Sequence, residues 1–478
     1  MTDTVSLPLW LLALLVAFAA WAALDRLLVP GVRFVIRHRV NRLLEELDTR
    51  LRIRVQPFKL TKRQVLIDRL LYDPTLLAAV EAQARENDMP REVAMAKVRR
   101  YAEEIVPAFN AYVYFRLGYR LGRMVARSLY RVRLQASDAA ALEAVEEGST
   151  VVFVMNHRSN MDYVLVAYLA ASSTALSYAV GEWARVWPLQ TLIRSMGAYF
   201  VRRRSRNPLY RRVLERYVHM ATASGVTQAV YPEGGLTRDG SLQPPKLGLL
   251  DYMLRGFDPA GERDVVFVPV GINYDRVLED RTLLRDLDPE APPVGALTAA
   301  GRTLGFVARQ LGLALRRRWH RHGYACVKFG TPVSVRAWLA ERGGVDLRRL
   351  SKDGRFAEIE RFGARLMAEV GRAVPAVPAA VAATVFLRHL DAGGAPMDTL
   401  EVKARIFALQ EELRAGGAAV YVPRRDAEYA AEVGLRMLSL RKLVEEDEEG
   451  GWSAVAAERP ALAFYANSIR HFLPQSSS

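Results

Sequence analysis

Short apolar runs alternate with stretches of helical periodicity between about residues 130 and 375. The runs are rich in β-branched and aromatic residues, and they are Val151–Met155, Ser177–Val180, Tyr199–Val201, Gln228–Tyr231, Val265–Ile272 and Cys326–Phe329. The clearest helices between them are Pro208–Thr222 and Leu297–Arg318. This alternation predicts an α/β fold with a mostly parallel central sheet and flanking helices. Active sites in such sheets collect at the carboxyl ends of strands, so the residues that follow each run are the first candidates.

His157 and Asp162 follow the first of these runs, separated by four residues. The carboxylate can turn back to hold one imidazole nitrogen, which leaves the other nitrogen free to take a proton. We therefore predict that His157 is a general base and that Asp162 orients it, with no serine or cysteine nucleophile. A histidine and an aspartate at this spacing are common by chance, so the prediction depends on the motifs downstream.

A second motif ends the run Tyr199–Val201 with Arg202 and Arg203, whose guanidinium groups suit bidentate contacts to a phosphate. A third motif follows Tyr231 and consists of Glu233, Gly234, Gly235, Thr237, Arg238 and, further on, Lys246. The two glycines permit close approach of the backbone to a ligand, and the polar side chains supply donors. Taken separately, each motif is more often an ordinary strand end or loop.

The fourth motif is the long run Val265–Ile272, which reads as a buried strand. Val266 and Val268 fit a purely structural role. Pro269 does not, because proline is disfavoured within a central strand. We predict that Pro269 ends the pairing and lines an apolar channel for a substrate.

The composition of the chain limits its partners. A net charge of +15 favours an anionic membrane surface, a polyanion or phosphorylated metabolites. The single cysteine, Cys326, and the scattered histidines predict no disulfide, no metal site and no cofactor. Recognition-helix, zinc-finger and RNA-binding signatures are absent from the sequence, so nucleic acid is not a predicted partner.

Residues 1–30 carry the membrane signal. Leu7–Leu24 is uncharged and rich in leucine and alanine, and arginines follow it from Arg26 to Arg42. We predict an N-terminal membrane anchor with the remainder of the chain at the cytoplasmic face of the inner membrane. Whether this segment spans the bilayer or lies in its interface stays open at this length.

Three further regions follow the anchor. Residues 31–130 are predicted to be helical, basic and membrane-facing, although a packing domain with a solvated basic face is an equal alternative. In the membrane-facing interpretation the aromatic rings of Phe109, Tyr112 and Phe115 lie at the membrane interface, and arginines reach the phosphates of anionic lipids. Residues 131–375 form the α/β catalytic domain, and residues 376–478 form a C-terminal helical region.

The four motifs, in this order and at this spacing, resemble the glycerolipid acyltransferases with a His-x4-Asp motif, and within them the membrane-bound bacterial glycerol-3-phosphate acyltransferases. Gly197–Arg203 is similar to their Gly-Ala-Phe-Phe-Ile-Arg-Arg pattern, and Gln243–Lys246 to their Gln-Pro-Lys stretch. Phe464–Ile469 and His471–Pro474 resemble their C-terminal region. The resemblance covers about residues 100 to 475.

The resemblance implies acyl transfer from acyl-CoA or acyl-acyl-carrier-protein to the sn-1 hydroxyl of glycerol 3-phosphate, giving lysophosphatidate in the first step of phospholipid synthesis. It implies that His157 is the base and Asp162 its orienting partner. Arg202, Arg203, Arg238 and Lys246 become candidates for holding the phosphate of the acceptor. Glu233, Gly234, Gly235 and Thr237 fall on the third motif, and Pro269 falls on the fourth.

One departure from the family pattern affects the acceptor. Leu236 stands where the family usually has arginine, so one expected phosphate donor is missing. Dihydroxyacetone phosphate and lysophosphatidate therefore remain alternative acceptors. A different alternative is an inactive membrane scaffold that binds anionic lipid through its basic surface and has no need of the His–Asp pair.

Overall fold

The computed structural model describes residues 56–135, 141, 144–170, 175–181, 189–202, 205, 207–287 and 321–474. The predicted anchor at residues 1–30, Arg203 and the predicted helix Leu297–Arg318 lie outside the described residues. None of the helices in the described ranges combines the length and the apolar character needed to cross a bilayer. The boundaries of the four predicted regions remain predictions.

The chain begins with helices and continues with alternating strands and helices. The helices are α1 (Pro57–Leu60), α2 (Arg63–Leu71), α3 (Pro74–Glu86), α4 (Arg91–Ile105), a π-helical segment (Val113–Gly118) that runs into α5 (Tyr119–Leu129), α6 (Met161–Ala170), α7 (Leu189–Ser195), α8 (Pro208–Ala223), α9 (Leu247–Leu254), α10 (Asp280–Arg285), α11 (Val335–Glu341), α12 (Lys352–Ala373), α13 (Pro378–Asp391), α14 (Thr399–Ala415), α15 (Ala427–Ser439) and α16 (Arg459–Ala466). Several begin at side-chain caps that the sequence supplies. Asp73 and Asn207, for example, each accept backbone N–H groups just before a proline at the first helical position.

The strands are β1 (Arg131–Leu134), β2 (Thr150–Met155), β3 (Ser177–Gly181), β4 (Ala198–Val201), β5 (Gln228–Val230), β6 (Val265–Tyr274), β7 (Tyr324–Phe329) and β8 (Val333–Ser334), with a separate hairpin of β9 (Val444–Glu446) and β10 (Trp452–Ala454). The main sheet has the order β1-β7-β6-β2-β5-β3-β4, and β8 pairs with β6. Five neighbours, β6, β2, β5, β3 and β4, run parallel to one another, whereas β7 and β8 run antiparallel to β6. The predicted α/β fold with a mostly parallel sheet and flanking helices is confirmed.

The parallel strands bring the predicted motifs to one edge of the sheet. The loops after β2, β5 and β4 carry the first, third and second motifs, and all three strands end on the same side. β2 lies between β6 and β5, so its loop is central. This position places His157 between the residues that follow β5 and those that follow β6.

Both faces of the sheet are covered, and β2 contributes to two cores. Val152 and Val154 pack with α2–α4, α8, α9 and α12, whereas Val151 and Phe153 point to the core shared with α5, α6, α13 and α16. Because both faces are buried, β2 and β6 read in the sequence as continuous apolar runs rather than alternating ones. The C-terminal helices therefore share a core with the main sheet.

The three aromatic rings expected at a membrane interface differ in their burial. Phe115 is buried with Tyr114, and Phe109 packs against this cluster together with Tyr119. Tyr112 is half-buried. Phe115 therefore packs inside the protein, as the packing-domain alternative expects, and Phe109 contributes to the same small core. Contact of this region with a membrane stays a prediction.

Gly271 in β6 allows the C-terminal region to approach the sheet. A Cβ atom placed on Gly271 would lie 2.1 Å from the carbonyl carbon of Ala373 and 2.3 Å from the nitrogen of Val374. Backbone atoms occupy this space, so a neighbouring rotamer cannot relieve the clash. Glycine is required at this position of the strand by packing.

We predict that Gly271→Ala destabilises the protein by about 1–3 kcal/mol or more, because the added methyl group overpacks a backbone contact. Gly248→Ala in α9 is the matched control, since a Cβ atom there meets nothing within 4 Å. Alanine should be neutral at position 248 or should stabilise the helix by up to about 1 kcal/mol. Urea denaturation of both variants measures the difference, and equal stabilities would contradict the packing argument.

Candidate functional site

Asn156 holds the first motif at the end of β2. Its side-chain nitrogen donates to the carbonyl oxygen of Ile272 at 2.9 Å, and its side-chain oxygen accepts from the Ile272 N–H at 2.8 Å. The side-chain amide of Asn156 thus makes one more pair of hydrogen bonds to β6, just beyond the last residue of β2. His157 consequently leaves the sheet from a rigid point.

His157 and Asp162 form a buried pair. The Nδ1 atom of His157 lies 2.9 Å from Oδ2 of Asp162, which also accepts the backbone N–H groups of Arg158 at 2.8 Å and Ser159 at 3.1 Å. The other carboxylate oxygen, Oδ1, accepts the hydroxyl of Tyr274 at 2.6 Å. Since Asp162 acts as an acceptor throughout, Nδ1 carries the hydrogen and Nε2 is left as the acceptor. This is the tautomer that a general base requires.

Two tyrosine rings hold the plane of the imidazole. The ring of Tyr231 stacks on His157 with centroids 4.1 Å apart, and the ring of Tyr163 meets it edge-on at 5.2 Å. The His157 side chain is only 1% exposed. The imidazole is therefore oriented by a hydrogen bond at one nitrogen and by packing on its faces.

A cleft opens beside the imidazole. It encloses about 410 Å³ of empty space, part of it open to solvent. Its lining is mainly apolar and consists of His157, Tyr163, Ala179, Val180, Gly181, Val201, Tyr231, Gly234 and Leu249. A cleft with these walls can hold an apolar chain with its reactive end close to His157.

Glu233 ties the third motif to the first. Its carboxyl accepts the backbone N–H groups of His157 and Gln243, while Oε2 is buried without a partner among the described residues. Burial raises the pKa of Glu233 to about 8. At neutral pH this carboxyl is therefore mainly uncharged, and it does not repel an anion that approaches the loop.

Gly234 and Lys246 lie together at the rim of the cleft. Gly234 has a φ of +69°, and a Cβ atom on it would lie 2.6 Å from Cδ of Lys246. The Lys246 N–H donates to the carbonyl oxygen of Pro232 at 2.8 Å, and its side chain is exposed. The structure thus places the predicted cation Lys246 beside the cleft. Gly235, also predicted for the site, follows Gly234 in the same loop.

Thr237 organises the same loop. Its N–H donates to the carbonyl oxygen of His157 at 2.9 Å, and its hydroxyl donates to the carbonyl oxygen of Ser241 at 2.8 Å. The hydroxyl also accepts the N–H of Gly240 at 3.1 Å. Both polar groups are used within the protein, so the structure gives Thr237 a part in holding the loop.

The predicted arginines do not all converge on the cleft. Arg238 is exposed and donates to the carbonyl oxygen of Asp286 at 3.3 Å. Arg202 makes a two-point ion pair with Glu104 of α4, with distances of 2.8 and 2.5 Å. Arg203 lies outside the described residues. In this arrangement the guanidinium of Arg202 joins β4 to α4 instead of being held open for a ligand.

Pro269 does not end the pairing of its strand. β6 continues to Tyr274, and Val154 of β2 remains in register with Pro269. The other edge of β6 changes neighbour here, from β8 to β7, and the Gly330 N–H donates to the Pro269 carbonyl at 2.7 Å. The missing N–H of proline falls at this change of neighbour, which explains how the strand tolerates it.

Two residues of the His–Asp environment were not predicted from the sequence. Tyr274 ends β6 and Glu279 follows it. Both therefore lie at the end of a strand, as the other motifs do. Glu279 accepts the hydroxyl of Ser159 at 2.8 Å and the N–H of Asn160 at 3.2 Å, and burial raises its pKa. These contacts hold the turn between the two members of the pair.

The C-terminal region also reaches this loop. Arg158 donates to the carbonyl oxygens of Gly240 at 2.6 Å and Phe464 at 3.4 Å, and its guanidinium lies 5.0 Å from the centre of the Phe464 ring. Asn467 donates to the carbonyl oxygen of Asp239 at 2.9 Å. The first and third motifs are thus fastened to each other and to α16.

The buried histidine–carboxylate pair at the edge of a parallel sheet is the candidate site, and two family models match the chain around and beyond it. The acyltransferase family model matches residues 138–273, and the model of the glycerol-3-phosphate acyltransferase C-terminal region matches residues 309–477. The chain is similar to these two families over the matched ranges.

Curated relatives are similar to this chain over its central and C-terminal parts. Glycerol-3-phosphate acyltransferases from Aeromonas hydrophila and Ectopseudomonas mendocina are 28% identical over 314 residues and 30% identical over 283 residues. These alignments cover 65% and 59% of this chain, but only 37% and 33% of the relatives. The alignments thus span about a third of the length of these relatives.

A solved structure, the 1-acyl-sn-glycerophosphate acyltransferase from Thermotoga maritima, is similar at 17% identity with a TM-score of 0.31. The similarity covers 54% of this chain and 79% of that chain.

The raised pKa of Glu233 predicts a pH dependence of stability. In the folded protein the Glu233 carboxyl stays protonated up to about pH 8, whereas in the unfolded chain it ionises at about pH 4.3. The stabilisation is complete below the unfolded pKa and is lost as the pH rises through about 8. Between about pH 5 and pH 9 the free energy of unfolding should therefore fall less in Glu233→Gln than in the parent protein. The difference between the two falls should reach up to several kcal/mol. Urea denaturation at the two pH values measures this, and an unchanged slope would contradict it.

Proposed function

We propose that this protein transfers a fatty acyl group from an acyl thioester to the sn-1 hydroxyl of glycerol 3-phosphate, giving lysophosphatidate. The observation that carries the proposal is the buried His157–Asp162 pair at the wall of an apolar cleft, in a chain with the acyltransferase and glycerol-3-phosphate acyltransferase C-terminal matches. The names of the curated relatives support the same acceptor.

The chemistry needs no covalent enzyme intermediate. Nε2 of His157 accepts the proton of the acceptor hydroxyl while its oxygen attacks the thioester carbonyl carbon. The tetrahedral intermediate then collapses, the C–S bond breaks, and the departing thiolate takes the proton from the imidazolium. Asp162 stabilises the imidazolium in between, since its carboxylate touches Nδ1. The products are the ester and the free thiol, so the protons balance.

The surroundings of the pair fit both substrates. The apolar cleft suits the acyl chain of the donor, which we propose is acyl-CoA or acyl-acyl-carrier-protein. Lys246 at the rim suits the phosphate of the acceptor, and Arg238 is a second exposed cation of the same loop. Glu233, held uncharged by burial at neutral pH, adds no repulsion to that phosphate.

We also propose a location at the cytoplasmic face of the inner membrane, in the first step of phospholipid synthesis. The apolar run Leu7–Leu24 and the arginines after it support this location, together with the net charge of +15. Anionic membrane lipids are then the neighbouring surface. A product with a fatty chain partitions into that surface directly.

We predict that His157→Ala lowers turnover by about 10²–10⁴-fold, the range typical of a lost general base. Asp162→Ala should lose activity to a similar degree, with Asp162→Asn as a variant that preserves the packing. The measurement is acyl transfer to glycerol 3-phosphate, dihydroxyacetone phosphate and lysophosphatidate in turn, with each of the two donors. Near-full turnover in a folded His157→Ala protein would overturn the mechanism, and preference for another acceptor would overturn the substrate assignment.

Tyr274 is predicted to act by positioning Asp162. A hydrogen bond to a charged group contributes about 1.5–3 kcal/mol, so its removal in Tyr274→Phe should lower kcat about 10- to 150-fold and leave both KM values within about twofold. Tyr199→Phe is the matched control, because the buried hydroxyl of Tyr199 has no partner among the described residues. Steady-state kinetics of the two variants test this. Equal kcat values would show that the Tyr274 hydroxyl does not serve catalysis.

A further inference from the structure

An apolar stripe is exposed along the π-helical segment and α5. Leu117, Leu121 and Met124 follow one another at helical spacing, with 52%, 38% and 63% of their surfaces exposed. Scattered exposed aliphatic residues are normal on protein surfaces, but three in line on one helix form a continuous patch. These residues differ from the aromatic rings of the same segment, which point inward.

A second stripe of arginines runs beside the first. Arg116, Arg120, Arg123 and Arg127 are all exposed, and among the described residues none of them has an ion pair or a side-chain hydrogen bond. The sequence contains no aspartate or glutamate from residue 105 to residue 137. The positive charge of this surface is therefore not neutralised by acidic residues of its own segment.

The opposite side of α5 packs on the helix that carries the site. Gly122 lies against Val164 and Tyr168 of α6, and the rings of Tyr119 and Tyr168 are 5.6 Å apart. Asp162 belongs to the first turn of α6. The two exposed stripes thus lie one helix layer from the His–Asp pair, or about 10 Å.

We propose that these two stripes, the arginine–leucine face, dock on an anionic phospholipid bilayer. Leucine and methionine enter the boundary between headgroups and acyl chains, and the arginines meet the lipid phosphates beside them. A nucleic acid would pair with the arginines but would leave the aliphatic stripe exposed to water. The proposal rests on the membrane location proposed above, and it adds the surface and its orientation.

The orientation has a consequence for the reaction. With the arginine–leucine face on the bilayer, α6 and the cleft wall at Tyr163 lie just above the headgroups. The apolar cleft is then close to the phase into which a fatty acyl product moves. Docking at this face therefore shortens the path of the apolar chain through water.

A probe in the full-length chain tests the contact. Met124→Cys labelled with a polarity-sensitive fluorophore reports on the face, because the natural Cys326 is fully buried. Leu400→Cys, with 77% of its parent side chain exposed in the C-terminal region, is the control position. Both proteins are mixed with phosphatidylcholine vesicles that contain or lack phosphatidylglycerol, and quenching by iodide is measured.

We expect a blue shift and protection from iodide at position 124 on vesicles that contain phosphatidylglycerol, and neither change at position 400. In the Arg120→Gln, Arg123→Gln background the docked fraction should fall about fivefold per arginine. Arg99→Gln with Arg100→Gln removes equal charge from α4, on the other face of the sheet, and should leave protection unchanged.

Three results would overturn the proposal. One is full quenching at position 124 while the protein is bound to vesicles. Another is protection at that position without vesicles, which would mean that another part of the chain covers it. The third is equal protection on vesicles with and without phosphatidylglycerol. Because the readout needs no turnover, acyl transfer with an unprotected probe refutes only the docking face, and protection without acyl transfer refutes only the proposed activity.

Discussion

The site depends on one buried carboxylate that takes four hydrogen bonds. Asp162 is fully buried and receives donors from the His157 ring, two backbone N–H groups and the Tyr274 hydroxyl. A carboxylate without such partners is costly to bury, so the loop conformation and the side chain stabilise each other. The backbone donors come from the very loop that carries His157. The motif therefore builds most of its own frame, and β6 adds the Tyr274 hydroxyl and the backbone partner of Asn156.

The third motif contributes mainly structure around this frame. Thr237 and Glu233 both bond to the backbone of His157, and their other hydrogen bonds go to residues of their own loop. Lys246 and Arg238 are the exposed cations of that loop. A short string of polar residues thus divides into members that shape the loop and members that can meet a ligand. The distinction follows from hydrogen-bond partners, which a linear motif does not display.

The strand ends and the His–Asp spacing were predictable from the sequence, because buried parallel strands read as apolar runs and the site residues follow them directly. Other features depended on partners far along the chain. Arg202 looked like a phosphate ligand, but its partner is Glu104, 98 positions earlier. Tyr274 contacts Asp162 across 112 positions, and no local pattern announces it. The burial of Phe115 could not be decided from the sequence, because helical periodicity shows which residues share a face and not which face is covered.

The contact between Arg158 and Phe464 also has a consequence for the order of events during synthesis of the chain. The two residues are 306 positions apart in the chain. At about 5–20 residues per second, a ribosome needs roughly 15–60 s to proceed from the first to the second. During that interval the nascent loop lacks the carbonyl and the ring that receive its guanidinium. A nascent chain that ends before α16 therefore contains His157 and Asp162 but lacks the contacts between Arg158 and Phe464. These contacts can form only after α16 has been synthesised.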